Sequence, residues 1–413
     1  MVAIQRHTIR CGQGVAESNT HKWMFESDLE TTEELIVLEP NKVGAEHGSF
    51  NAAVLTLLAR RRGTGSIRLM CARSHWAAIG PLCGHPPEIV WESVSVISGV
   101  ERQFFRKFIL EAWAVLRALQ RAKKTKADLL ILSIFPNVLA FVLLLKRWFG
   151  GVRLRVILHC EVEALTVKEK LRMNREGFWA GLALVRLFDG TWPVFYILGE
   201  RMKGRLLARF TDVRQFDAMR VLEHPYSFTR PKARARHDKF RVGFVGAGRI
   251  AKGIDEFFDL ARSLNDIYSR LEFVVVGGVE KNAQRATEGV TVLAEVAGGL
   301  EPEKYAKEIG DLDCALFLYQ QNYALTASGA VFDVINQRVE IWSLPNDYLS
   351  DLASEDSESG ILFFRNLQEI ERELRHRVNE KIGFKKYDYT GIRARHGVET
   401  GDEPVDACQG GRT

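Results

Sequence analysis

The sequence has few of the features that mark secreted, metal-binding or membrane-spanning proteins. Its six cysteines form no C-x-x-C pair and show no metal-ligand spacing, which predicts a reducing compartment without a disulfide framework. The first thirty residues are polar, so we expect no signal peptide and a cytoplasmic protein. The net charge of +5 over 413 residues is too small to indicate nucleic-acid binding, but it is compatible with an anionic substrate.

One long apolar run is present, and it is a poor candidate for a membrane span. Residues 129–145 contain no charged side chain, but Pro136 and Asn137 interrupt them midway. A spanning helix needs about 20 consecutive apolar residues. The run is better explained as a buried strand at 128–135 followed by a short helix at 138–149.

The chain is too long for one ordinary hydrophobic core, which predicts two domains. Apolar strand-like runs, among them 66–71, 194–198, 271–276 and 314–319, alternate with helical stretches, as is typical of parallel β-α-β units. Ligands bind at the carboxyl ends of parallel strands, so we expect the site in a cleft between two sheets. The predicted division is a disordered extension (1–32), an acceptor-binding Rossmann-like α/β domain (33–226), a basic linker (227–239), a nucleotide-sugar-binding Rossmann-like domain (240–384), and a return segment with a disordered tail (385–413).

Residues 241–255 are the most informative part of the chain. A short apolar strand, a glycine turn and a helix follow one another there, and backbone N–H groups in such a unit can face a phosphate. Gly246-x-Gly248-x-x-Ala251 fits a dinucleotide fingerprint, so an NAD(P)-dependent oxidoreductase is one hypothesis. Against it, the next predicted strand ends in two glycines where the ribose-binding acid should lie, and Glu280 alone could replace that acid.

The same segment also fits a second hypothesis. Arg249 and Lys252, one helical turn apart, form a basic pair next to the glycine turn. Such a pair could hold a diphosphate whose negative charge grows as its glycosidic bond breaks, with help from a helix N-terminus. This interpretation predicts a sugar-nucleotide site.

From position 248 onward the sequence resembles the nucleotide-binding half of GT-B glycosyltransferases. The resemblance implies a GT-B fold, in which two Rossmann-like, doubly wound α/β domains face each other across a cleft. It also implies a UDP- or GDP-sugar as donor, no cofactor and no essential metal. The matching segments are Gly248-Arg249-Ile-Ala-Lys252-Gly253, Val275-Val276-Gly277-Gly278, 312–318, Ser328-Gly329 with Asp333, and 360–363.

The resemblance also implies the donor site. Arg249 and Lys252 would stabilise the leaving diphosphate, and Asp333 resembles a ribose-binding carboxylate, with a plain helix-surface acid as the alternative. Many family members carry a Glu-x7-Glu pair where this sequence has Leu325 and Asp333. The donor sugar and the stereochemical class therefore stay open, as does a non-catalytic GT-B scaffold. The implied donor-binding residues are Gly246, Gly248, Arg249, Lys252, Thr326, Ser328, Gly329 and Asp333.

The N-terminal half carries a weaker resemblance to an acceptor domain. The loop 46–51 opens a helix after the first strand, and its alternative role is a simple N-cap by Ser49 or Asn51. His159 follows another buried strand and could orient or deprotonate an acceptor hydroxyl, although strand-end histidines are often structural. The segment 224–226 resembles an interdomain hinge. The predicted catalytic residues on this side are His159 and Glu161, and the acceptor-side residues are His47, Gly48, Ser49 and Glu163.

Residues 166–188 combine basic side chains with Phe178 and Trp179. This segment either lies in a membrane interface, where it would meet a polyprenyl-linked acceptor, or forms an ordinary helix with a solvated basic face. The family resemblance implies a hexosyltransferase that acts on a glycan or polyprenyl-linked acceptor in surface polysaccharide or glycolipid synthesis, at the cytoplasmic face of the membrane.

Overall fold

The structure is a computed structural model that describes residues 34–62, 66–97, 103–159, 161–166, 176–235, 237–280, 289–294, 300–319, 325–383 and 385–398. The predicted extension 1–32, the end of the chain from 399, and residues 167–175 lie outside these ranges.

The N-terminal half contains a seven-stranded parallel sheet in the order β3-β2-β1-β4-β5-β6-β7. Its strands are β1 (Glu34–Glu39), β2 (Ser66–Cys71), β3 (Ile89–Ser93), β4 (Asp128–Ile131), β5 (Leu154–Leu158), β6 (Val194–Leu198) and β7 (Arg220–Leu222). The helices are α1 (Gly48–Arg62), α2 (Arg73–Ile79), α3 (Phe104–Thr125), α4 (Pro136–Leu144), α5 (Lys146–Phe149), α6 (Glu161–Ala164), α7 (Glu176–Ala180), which continues as a π-helix (Gly181–Leu187), and α8 (Glu200–Arg209).

The C-terminal half contains a six-stranded parallel sheet in the order β10-β9-β8-β11-β12-β13. Its strands are β8 (Phe240–Val245), β9 (Leu271–Val276), β10 (Val290–Val292), β11 (Cys314–Phe317), β12 (Glu340–Ser343) and β13 (Ile361–Phe363). The helices are α9 (Ile254–Ser263), α10 (Pro302–Gly310), α11 (Gly329–Asn336), α12 (Asp347–Ser354), α13 (Leu367–Glu380) and α14 (Thr390–His396).

Both sheets have apolar side chains on both faces, as parallel sheets covered by helices require. In β1, four successive residues, Leu35 to Leu38, are fully buried. The sheets thus confirm the prediction of two doubly wound α/β domains. The exact domain boundaries remain predictions.

The apolar run 129–145 differs in detail from its prediction. The strand ends at Ile131 rather than at 135. Leu132 and Ile134 lie beyond the strand but are still fully buried, so the apolar run is longer than the strand itself. The predicted helix 138–149 is split into α4 and α5. Within the described ranges, no helix is both long and apolar enough to cross a bilayer.

Candidate functional site

The glycine turn after β8 is built differently from the prediction. The Gly246 amide donates to the Val276 carbonyl at 3.0 Å, and the Gly248 amide donates to the Gly278 carbonyl at 2.9 Å. The chains after β8 and β9 therefore keep pairing beyond their strands, with a parallel bridge between Gly248 and Val279. The expectation that these two amides face a phosphate is thus corrected, because neighbouring carbonyls already accept from both.

Close backbone packing explains the glycines after β9. Gly277 has φ +146°, and a Cβ there would lie 2.2 Å from the Gly246 carbonyl oxygen. A side chain at this position would displace the turn, so a ribose-binding acid cannot stand there. Glu280, the substitute acid, instead forms an ion pair with Arg249 at 3.1 Å. Both observations weigh against the dinucleotide interpretation.

The two cations of the basic pair lie in different environments. Arg249 precedes a 3-10 turn (Ile250–Lys252) before α9, and Lys252 is the last residue of that turn. Arg249 is about half exposed next to Glu280. Lys252 is partly buried and folds back over the glycine turn, where its Nζ lies 3.8 Å from the position of a Cβ at Gly246. Burial, helped by the nearby Arg249 charge, lowers the pKa of the Lys252 ammonium to about 8.

Asp333 on α11 faces Lys252 and two phenols. Tyr226 donates to its Oδ1 at 2.7 Å, and Tyr305 donates to its Oδ2 at 3.3 Å. Burial raises the pKa of the Asp333 carboxyl to about 6, against the opposing effects of Tyr226, Tyr305, Lys252 and Ser49. The alternative of a plain helix-surface acid is therefore wrong, since this carboxylate is held inside a polar cluster.

The residues before α11 are only partly available to a ligand. The Ser328 hydroxyl lies 2.6 Å from the Tyr319 hydroxyl in a buried hydrogen bond. The Thr326 hydroxyl faces the Glu163 carboxylate at 3.5 Å. Gly329 opens the helix, and a Cβ there would meet no described atom within 4 Å. Of these three predicted donor-binding positions, Gly329 therefore offers the most room for a ligand.

Across the cleft, α1 points its first residues toward this cluster. The helix begins at Gly48, so Ser49 and Asn51 lie inside it and neither is the N-cap. Ser49 contributes a hydrogen bond to the Asp333 environment. Asn51 is fully buried, where its amide donates to Glu39 at 3.0 Å. The N-cap alternative is therefore wrong for both residues. Ser49 instead contacts Asp333, and Asn51 holds the Glu39 carboxylate.

His159 is a buried neutral histidine. Its Nε2 lies 2.9 Å from the Leu132 carbonyl, which can only accept, so the proton is on Nε2 and Nδ1 is the unprotonated nitrogen. Burial, together with the Lys42 charge, lowers the pKa of His159 to about 3. Its ring lies 4.8 Å from that of His47 and 4.7 Å from that of Phe50. The ring can accept a hydrogen bond, but at this pKa it is a weak base.

The two glutamates after His159 have different partners. Glu161 accepts from the His159 backbone amide at 2.6 Å, and burial raises its pKa to about 7. Glu163 accepts from the Leu325 amide at 2.6 Å in the other half of the molecule. Glu161 thus supports the local turn, and Glu163 joins the two halves at Leu325.

Sequence reasoning did not identify the aromatic junction behind the cleft. The His224 ring is stacked on Phe332 of α11, with centroids 4.6 Å apart and planes 15° apart, and it also contacts Phe50 of α1 at 4.9 Å. Tyr226, expected to serve a hinge, also donates to Asp333. Tyr305 had no sequence signal, since it is an ordinary residue of an amphipathic helix. In the described residues, no group of three or more His, Cys, Asp or Glu side chains could hold a metal ion.

Comparison with solved structures identifies this architecture. HepE of Anabaena in complex with UDP and glucose is similar with a TM-score of 0.60 at 10% identity, over 88% of this chain and 95% of that one. Sucrose-phosphate synthase of Thermosynechococcus elongatus gives a TM-score of 0.60 at 12% identity, over the same two shares. WaaG, a glycosyltransferase involved in lipopolysaccharide biosynthesis, gives 0.55 at 11%, over 88% and 94%.

Neither a protein-family model nor a curated protein sequence matches the chain. The structural neighbours are GT-B glycosyltransferases, and the two parallel-sheet domains match theirs. The chain therefore has the GT-B fold, as the sequence predicted.

Proposed function

We propose that the protein is a sugar-nucleotide-dependent glycosyltransferase that moves a sugar, of hexosyl type, from a UDP- or GDP-sugar to a glycan or lipid-linked acceptor. One observation carries the proposal. Lys252 lies over the glycine turn and beside Asp333, at the carboxyl edge of the second sheet, facing α1 of the first domain. In open α/β sheets that edge is where nucleotides bind.

The residues divide into two roles. Lys252 and Arg249 supply positive charge for a leaving diphosphate, and Asp333 is the carboxylate that would meet the ribose. Asp333 accepts one hydrogen bond from a tyrosine on each oxygen, and its remaining lone pairs can accept from a ribose hydroxyl. On the acceptor side, Nδ1 of His159 is an acceptor for a hydroxyl group, and His47 lies next to it. This division supports transfer across the cleft.

Three solved structures that resemble this chain, all of HepE, support the choice of donor. HepE was crystallised with UDP, with UDP and glucose, and with UDP-glucose. WaaG and WaaB act in lipopolysaccharide synthesis, WaaB as an outer core galactosyltransferase. We propose a related role for this protein in surface polysaccharide or glycolipid assembly, in the cytoplasm and at the inner face of the membrane.

The decisive test combines ligand binding with turnover. A thermal-shift screen of UDP, GDP, UDP-glucose and NAD(H) should show protection by a nucleoside diphosphate, about 2.7 kcal/mol at a hundredfold excess over Kd. Hits are then assayed for donor hydrolysis and transfer. Lys252→Ala should lower turnover at least about a hundredfold with little change in Tm. Lys304→Ala, on the exposed surface of α10, is the matched control and should retain full activity.

Three outcomes would overturn the proposal. Protection by NAD(H) alone would favour the oxidoreductase that the Gly246-x-Gly248 turn first indicated. Undiminished turnover in Lys252→Ala would remove the residue on which the donor site depends. Nucleotide binding without hydrolysis or transfer to any acceptor would instead indicate a non-catalytic scaffold.

A further inference from the structure

Helix α3 presents an apolar stripe to solvent. Phe105, Ile109 and Trp113 are spaced four residues apart, which places them on one face of the helix, and they are 79%, 62% and 60% exposed. The opposite face is the one that packs on the sheet, through small and aliphatic residues that are buried: Ala114, Val115, Ala118, Leu119 and Ala122. The stripe is therefore not needed for the core. Large apolar side chains exposed together mark an interaction surface.

The exposed surface extends onto the neighbouring helices. Leu144 at the end of α4 and Trp148 in α5 are each 60% exposed. They are tied to α3 by the edge contact between the Phe108 and Phe141 rings, 6.1 Å apart, and by Lys123, which donates to the Trp148 carbonyl at 2.9 Å. We call Phe105, Ile109, Trp113, Leu144 and Trp148 together the α3 patch.

The charge around the α3 patch is mostly positive. The single acid of α3, Glu111, is 2% exposed and accepts from the Phe135 amide, so it presents no charge to solvent. The sequences of α4 and α5 contain no acid. The basic side chains of these helices are Arg106, Lys107, Arg117, Arg121, Lys123, Lys124, Lys146 and Arg147. Of these, Arg117 and Arg121 are paired with Glu92 and Lys146 is paired with Asp189, whereas Arg106, Lys124 and Arg147 are exposed.

We propose that the α3 patch docks the protein on a membrane that contains anionic lipids. Exposed Phe, Ile, Leu and Trp side chains gain from entering the headgroup boundary, where tryptophan is favoured, and the basic side chains gain from anionic headgroups. A protein partner would fit the apolar stripe, but the mostly positive border complements an anionic lipid surface. An anionic membrane is therefore the partner that fits both the apolar stripe and the basic border.

This surface differs from the segment that the sequence indicated. Within 176–188, the aromatic and aliphatic side chains are at most partly exposed, because α7 and the π-helix pack against α4. The α3 patch also has a favourable position. A helix that follows a parallel strand starts at the carboxyl edge of the sheet, so Phe105 lies at the edge that holds His47 and His159. An amphiphilic acceptor would then reach the cleft from the bilayer. Only this route for the acceptor rests on the proposed function; membrane docking itself does not.

The test is co-sedimentation of the full chain with vesicles, in the absence of any nucleotide. Vesicles of phosphatidylcholine alone are compared with vesicles in which about a third of the lipid is phosphatidylglycerol. We expect partitioning onto the anionic vesicles that weakens as salt is raised. The variant Phe105→Gln/Ile109→Gln/Trp113→Gln should partition at least about tenfold less. Arg106→Glu/Lys124→Glu should weaken binding to the anionic vesicles only.

The matched control is Phe363→Gln/Ile382→Gln, which removes exposed apolar side chains, 40% and 41% exposed, from the other domain. It should bind vesicles as the wild type does, and the Tm of every variant is measured to confirm folding. The proposal would be overturned if the α3 variant, Phe105→Gln/Ile109→Gln/Trp113→Gln, partitioned like the wild type. It would also be overturned if the wild type did not partition. A dimer in analytical ultracentrifugation that the α3 variant abolishes would overturn it too, since the patch would then join two copies. Donor hydrolysis, measured without lipid, reports separately on the proposed function.

Discussion

Burial sets the protonation state of the individual residues in the cleft. Lys252 is the clearest case, because its pKa is lowered to about 8 in the free protein. An ammonium is charged below its pKa, so the positive charge that a diphosphate needs is present at pH 7 and is lost as the pH rises through 8. The donor site is therefore expected to weaken at alkaline pH.

We predict that the Kd for UDP rises about tenfold between pH 7 and pH 9, because the protonated fraction of Lys252 falls by that factor. Isothermal titration at several pH values measures the effect. Lys252→Arg keeps its charge throughout this range and should give a nearly flat profile. An unchanged slope in Lys252→Arg would assign the titration to another group.

Glu111 offers a second test, this time of stability. Burial raises its pKa to about 8, whereas in the unfolded chain the value is near 4.5. The folded state therefore holds a proton that the unfolded state releases, and stability falls as the pH rises from 4.5 to 8. Glu111→Gln keeps an oxygen for the Phe135 amide and does not titrate.

We predict that Glu111→Gln gains about 3 kcal/mol relative to the wild type between pH 4.5 and pH 7. Urea unfolding at both pH values measures the difference in the free energy of unfolding. Parallel pH profiles for the two proteins would show that Glu111 is ionised in the folded state.

Among the secondary structure elements, the turn between β8 and α9 depends closely on glycine. Gly253 has φ +84°, and a Cβ there would lie 2.1 Å from the Leu318 carbonyl oxygen. We predict that Gly253→Ala lowers the free energy of unfolding by about 3 kcal/mol, from backbone strain and displacement of Leu318. Gly204 in α8 has open space around it, so Gly204→Ala should raise stability by about 0.5 to 1 kcal/mol. Chemical denaturation compares the two, and equal effects would contradict the steric argument.

Buried parallel strands were the elements that the sequence predicted best. The strands β2, β6 and β9 have their predicted bounds, because each is a mainly apolar run between polar segments. The predictions for β4 and β11 extended too far, since apolar side chains such as Leu132 and Leu318 stay buried after the ladder ends. Helices α2, α8 and α12 carry little signal in the sequence. They are short, and periodicity gives little signal over seven to ten residues.

The candidate site was predictable where its chemistry is local. Arg249 and Lys252 stand next to a glycine turn, and the sequence indicated both. The contacts of Asp333 with Tyr226 and Tyr305 were not predictable, because they depend on how α10, α11 and the interdomain segment pack in space. The same holds for the carbonyl partners of the Gly246 and Gly248 amides, which require the register of β9 against β8.

At the scale of the whole molecule, two kinds of contact join the domains. An aromatic layer places His224 between Phe50 and Phe332 at the back of the cleft. Polar contacts lie around it. Asp351 of α12 pairs with Arg201 and Arg205 of α8, and Arg395 of α14 pairs with Glu223 at 2.7 Å. At the candidate donor site, Tyr226 donates to Asp333, and the Glu163 carboxylate accepts from the Leu325 amide. A substrate that enters between the domains must be compatible with this last contact.

The Glu163 contact can be tested directly through the amide that it holds. A hydrogen bond to a buried carboxylate contributes about 1.5 to 3 kcal/mol. We therefore predict that Glu163→Ala lowers the protection of the Leu325 amide in hydrogen exchange at least about tenfold, and that the radius of gyration in X-ray scattering increases as the domains separate. Glu163→Gln retains an acceptor oxygen and should preserve most of the protection, and Glu303→Ala on exposed α10 should leave both measurements unchanged. If Leu325 stays protected in Glu163→Ala, the closed arrangement is maintained by the aromatic layer and the Asp351 pairs, and Glu163 does not control it.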